Sequence, residues 1–166
     1  MNPNDELARL ESQLRAAVEG PAWHGPAVLE LLAGVSPADA AAHPIPGAHS
    51  IWELVLHLVG TYALVLRRLR GDATFLTADE DWPATPPPTE EAWQASIDEL
   101  RALNQSMRTA VSGFNLDALS APLVPKPPYT AYEQFIGLTQ HDLYHAGQIA
   151  LLKRALAAGP SALTAS

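Results

Sequence analysis

The sequence predicts an all-α fold: a four-helix bundle with long crossover loops and short extra helices. Three observations predict it. Apolar residues recur at helical spacing in four long stretches, helix-starting and helix-stopping residues bracket those stretches, and proline-rich segments join them.

The first stretch opens behind Asn4 or Asp5 as cap. It carries Leu7, Leu10, Leu14 and Val18, and Gly20-Pro21 ends it. A shorter helix follows from Pro26 through Val28, Leu29, Leu31 and Leu32 to Gly34, and Ser36-Pro37-Ala38-Asp39 reads as a capped single turn. His43-Pro44-Ile45-Pro46-Gly47 is a loop, because two prolines flank one residue. Ser50 caps the second long helix with Glu53 in the capping-box position, and Gly71 closes it after Arg70. Residues 72–88 read as a long irregular connection.

Thr89 caps the third long helix, with Glu90 and Glu91 in its first turn and Trp93, Ile97, Leu100, Leu103 and Met107 as its apolar stripe. A second proline-rich link spans Pro122 to Pro128. The fourth helix starts near Thr130, with Glu133 three residues later, and runs to about Ala157. Gly159 and Pro160 stop it, and the last residues are expected to fray. No internal repeat and no alternating strand pattern is present.

The chain has 166 residues and 48% hydrophobic content, which suits one domain over residues 1–166 with a substantial core. A formal net charge of -8 argues against nucleic-acid and anionic-membrane partners. With no cysteine, any thiol chemistry must come from a cofactor or substrate. The acidic N-terminus lacks the pattern of a signal peptide, and no apolar run approaches the ~20 residues of a membrane span. The expectation is a soluble, cytoplasmic protein.

His141 and His145 lie four apart on one mostly apolar helix face, with roughly 6 Å of rise between them, a spacing that can chelate one cation. A hydrogen-bonded core pair is the plain alternative. His57 sits in a segment apolar on almost every side, so its ring needs a partner. Either it shares a metal with His141 and His145, or it is a core histidine bonded to Glu53. Glu53 also qualifies as the group that orients a ligating His57. Three neutral imidazoles leave a coordination position open, as in catalytic sites. Zinc and nickel suit them best, iron and manganese remain in play, and binding should weaken below about pH 6 as the ligands protonate.

His24, at a break between helices, is the candidate proton shuttle or substrate contact at the mouth of such a site. The plain reading is a helix-start residue bonded to backbone. Gln140, Tyr144 and Gln148 neighbour the pair, and each suits packing or a polar contact to substrate. Trp52, Trp82 and Trp93 read as core or rim packing. Arg67, Arg68 and Arg70 suit either a solvated helix end or the carboxylate of a small thiol.

Two segments, Ser50-Ile51-Trp52-Glu53-Leu54-Val55-Leu56-His57-Leu58-Val59 and Gln140-His141-Asp142-Leu143-Tyr144-His145-Ala146-Gly147-Gln148-Ile149, resemble the signature helices of the DinB-like/YfiT-like superfamily. The resemblance covers nearly the whole chain. It implies a four-helix bundle, often a homodimer, with a metal on His57, His141 and His145, and no position carries over as a catalytic acid or base. It also implies kinship with transferases and isomerases that use a low-molecular-weight thiol: bacillithiol, mycothiol or glutathione. On this reading the chain is a metal-dependent thiol S-transferase acting on small electrophiles. A metal-dependent hydrolase and a non-catalytic metal-binding stress-response protein are the alternatives. An arginine, a tyrosine or His24 beside the metal would favour an enzyme.

Overall fold

The computed structural model describes residues 4–159. The side chains of Asn4 and Asp5, expected to cap the first helix, and the frayed end expected from Pro160 lie outside the described residues. Four long helices dominate: α1 (Asn4–Val18), α4 (Ile51–Leu69), α6 (Glu90–Ser112) and α7 (Ala131–Ala158). Short helices α2 (Val28–Leu32), α3 (Pro37–Ala41) and α5 (Ala78–Asp81) sit in the connections, and a single 3-10 turn spans Leu116–Ala118. There is no strand among the described residues, and no helix there is long and apolar enough to cross a membrane.

Local chemistry sets the helix starts. The Ser50 hydroxyl accepts from the Glu53 amide while the Glu53 carboxylate accepts from the Ser50 amide, and Thr130 and Glu133 repeat the arrangement on α7. Residues 72–88 are not irregular throughout. Thr77 and Glu80 form a third reciprocal cap that starts α5, a short-range signal present in the sequence.

The helices α1 and α4 each pack against both α6 and α7. Between them lies a core built from Leu14 and Val18 of α1, Trp52, Leu58 and Tyr62 of α4, Trp93, Leu100 and Met107 of α6, and Phe135 and Ile149 of α7. Buried polar atoms in this core find specific partners: Trp52 Nε1 donates to Ser96 Oγ (3.0 Å), and Trp93 Nε1 to the Val35 carbonyl (2.9 Å).

Candidate metal centre

The helices α4 and α7 run antiparallel, so His57 of α4 meets His141 of α7, while Arg68, further along α4, meets Gln134 earlier on α7. The apolar neighbours of His57, Leu54 and Leu58, point into the core and turn its ring towards α7. His57 and His145 are buried and His141 is partly so.

The three Nε2 atoms converge. That of His141 lies 3.0 Å from His57 Nε2 and 3.0 Å from His145 Nε2. Hydrogen bonding alone does not account for this. His57 Nδ1 faces two acceptors, the Asp81 backbone carbonyl (2.9 Å) and the Asp81 carboxylate (3.1 Å), so it carries the proton and donates. His145 Nδ1 donates to the Gln148 carboxamide oxygen (2.7 Å). In their neutral forms both rings therefore present a bare Nε2 lone pair to the third. A single ring nitrogen of His141 offers one proton or one lone pair, so it satisfies at most one of its two neighbours. A cation equidistant from three lone pairs satisfies all of them, and the donor set fits a divalent metal.

Electrostatics favour the same state. Burial, followed by the nearby His145 and His57, pulls the His141 imidazole down to about 4. Burial also lowers His145, against the Gln148 hydrogen bond, which raises it. Both are held neutral at pH 7, the form a metal requires.

The supporting residues differ in part from expectation. Glu53 does not orient His57. Its carboxylate is committed to the Ser50 cap and faces His43 (3.1 Å) and His49 (3.4 Å), because the capping geometry draws it back around the helix start. Asp81, at the end of α5, takes that role. Trp82, next in sequence, lies parallel on the His57 ring, and His49 stacks on its other face. Gln148 is a hydrogen-bond partner of a histidine rather than packing, and Tyr144 is exposed with its ring edge-on to His145. His24 is not brought to the histidines. It is exposed and lines a separate groove with Leu143, Gly147 and Lys153, on another face of α7.

Three residues give α7 a polar anchor beside the centre. Asn104 of α6 donates to Tyr62 Oη (2.9 Å), and Tyr62 of α4 donates to Asp142 Oδ2 (2.7 Å). Burial pushes the Asp142 carboxyl up to about 8 and the Tyr62 phenol well above its usual range. Asn104 also donates to the Leu14 carbonyl of α1, so the network joins all four long helices. Asp142 follows His141 directly, and its anchoring fixes the rotation of α7 that presents His141.

A cavity of about 300 Å³ opens between α4 and α7, with His141 in its wall together with Arg68 and Tyr129. Arg68 is not a solvated helix end: it is buried, and its Nη1 donates to Gln134 (3.0 Å).

No curated protein and no solved structure compared with the chain matches it. A family model, that of the DinB superfamily, matches residues 22–149, which includes all three histidines and most of the bundle. The match spans well over half of the chain and the three-histidine cluster lies within it, so the chain belongs to the DinB superfamily.

Proposed function

We propose that the protein is a metal-dependent enzyme that holds one divalent cation on His57, His141 and His145 and acts on small electrophiles. Transfer of a low-molecular-weight thiol stands ahead of hydrolysis. The observation that carries the reading is the meeting of three Nε2 atoms, the three protein donors found there among the described residues, which leaves a coordination position for a substrate. When bound, a divalent cation lowers the pKa of a coordinated thiol or water and so supplies a nucleophile at neutral pH. Zinc and nickel match the all-imidazole donor set best.

The chain's own residues do the positioning. Asp81 holds His57 in the tautomer that exposes Nε2, and Gln148 does the same for His145. Trp82 covers one face of His57 and shields it from water. Arg68 and Tyr129 in the wall shared with His141 supply the polar groups expected beside a reacting molecule, which favours an enzyme over a non-catalytic metal protein. The reading includes a homodimer and no nucleic-acid partner. Light scattering on the eluted protein and a gel-shift titration at physiological salt test these two points.

The deciding experiment is a screen of zinc- and nickel-loaded protein against bacillithiol, mycothiol and glutathione with a chromogenic aryl halide. Metal-dependent turnover with one thiol, lost in His57→Ala, is the expected result. Turnover of activated esters without any thiol would move the assignment to a hydrolase. Full metal occupancy with neither activity would overturn the enzyme reading.

A further inference from the structure

We propose that the cleft between α4 and α7 binds a slender molecule carrying a carboxylate, with Arg68 holding that carboxylate and the reacting end lying at His141. The metal-centre reading enters only in the orientation of this molecule, not in the recognition of its charge.

The first observation is a buried cation with no counter-ion, faced by the Phe75 ring at 5.8 Å. Arg68 is 8% exposed, forms no ion pair among the described residues, and spends its Nη1 on the neutral carboxamide of Gln134. Its Nε is buried without a partner. A buried guanidinium that lacks a counter-ion is costly unless an anion arrives to share its fork. The adjacent Arg67, by contrast, is paired with Glu80 at 2.9 Å. The carboxylate in the cleft wall is that of Glu133, and it is already engaged: its Oε2 accepts from both the amide and the hydroxyl of Thr130.

The second observation is room. Gly137 lies in the middle of α7 and in the cleft wall. An interior helix glycine costs about 1 kcal/mol relative to alanine. Packing does not demand it here, since a Cβ at this position would meet nothing within 4 Å. Its absent side chain widens the cleft between the two ends. Val65 and Leu138 give the cleft apolar walls.

The third is span. Gln134, which holds Arg68, and His141 are two turns apart on α7, about 10 Å along the axis. A carboxylate at Arg68 therefore places a group some six to eight bonds away, on the order of 10 Å, at the histidines. An aliphatic mercapto-acid of about six carbons has this form, and mercaptohexanoate is a suitable probe.

Calorimetric titration of zinc-loaded protein with mercaptohexanoate and with mercaptohexanol tests the proposal. The acid should bind at least tenfold tighter than the alcohol. Arg68→Gln should abolish that preference and leave the alcohol's affinity unchanged, while Gly137→Leu should weaken both with helicity intact. Equal affinities in the parent protein, or a preference that survives Arg68→Gln, would overturn the assignment. Should Arg68→Gln fail to fold, Arg68→Lys decides: it must retain a reduced preference, and an undiminished one would count against the arginine. Hexanoate, which has no thiol, separates this inference from the metal centre. Arg68-dependent hexanoate binding in protein that takes up no zinc upholds the cleft and overturns the metal reading. Zinc uptake without Arg68-dependent binding does the reverse.

Discussion

Trp82 lies flat on the imidazole of His57, with ring centroids 4.0 Å apart and the planes parallel. The indole restricts the rotation of His57 and adds to what Asp81 achieves through Nδ1. Trp82→Ala should therefore weaken zinc binding by about 10- to 100-fold, the usual effect of removing a supporting group around a ligand. Competition titration against a chromogenic chelator measures this. Unchanged affinity would mean that Asp81 alone fixes the ring.

Gly60 permits α5 to reach the centre. A Cβ on Gly60 would lie 2.6 Å from the Glu80 carbonyl oxygen, which is backbone and cannot swing aside. Gly60→Ala should displace α5, carry Asp81 and Trp82 off His57, and lower metal affinity, with no rise in melting temperature despite alanine's better helix propensity. Gly137→Ala is the control: with nothing in its way, it should raise stability by up to about 1 kcal/mol. Thermal melts of the two variants side by side make the comparison, and a Gly60→Ala protein as stable as Gly137→Ala would remove the close approach as an explanation.

What the sequence discloses divides along the distance between partners. The caps Ser50/Glu53 and Thr130/Glu133 act within three residues, so they are legible, and the one-turn spacing of His141 and His145 is equally local. Asp81 was not legible as the partner of His57, because its position depends on how a proline-flanked connection folds back over Gly60. The alliance of Tyr62, Asn104 and Asp142 joins side chains on three helices, so no periodicity reveals it. Arg68 reads in the sequence equally as a solvated helix end and as a contact for a carboxylate. Its burial follows from Gln134 on a helix far along the chain.

The pH dependence of the metal-free chain follows from His141. Its folded value of about 4 lies below the ordinary 6.5, so between these values the unfolded chain binds a proton that the folded chain refuses. Stability from this group is thus present above pH 6.5, falls as pH drops towards 4, and levels off below. His141→Gln should flatten that slope in melts across the window. For the same reason, zinc should stay bound at pH values where a free imidazole would already be protonated, which shifts release below the pH of about 6 expected of ordinary histidines. Release complete at pH 6 would contradict the burial of the site.

Asp142 works with the opposite sign. Its folded value of about 8, against the usual 3.8, means that the folded chain keeps a proton that the unfolded chain has lost. The group's contribution declines as pH rises through that interval and is fully lost above about 8. Asp142→Asn cannot titrate, so its stability should fall less than that of the parent as pH rises from about 4 to about 8. Denaturant midpoints collected across that window decide this, and parallel curves would place the titration elsewhere.

Removing the metal should leave the bundle standing. The core of Trp52, Tyr62, Trp93, Leu100 and Phe135 is complete without the histidines. Chelation should lower the melting temperature, by an amount corresponding to about 2.7 kcal/mol when the metal is at a hundred times its dissociation constant, and leave helicity unchanged. Circular dichroism before and after chelation reads both. Collapse of helicity at room temperature would make the ion a structural staple.

The housing of Asp81 and Trp82 on the short α5 segment has an evolutionary corollary. The candidate ligands stand on long helices constrained by the core, whereas the two residues that hold His57 stand on a short connector that adds no buried residue to the core and only packs Trp82 against its edge. Substitutions in residues 77–82 can alter ring orientation, shielding and local charge around one unchanged set of ligands. Lineages that share this bundle can therefore diverge in reactivity through a few changes in a single loop, without passing through misfolded intermediates.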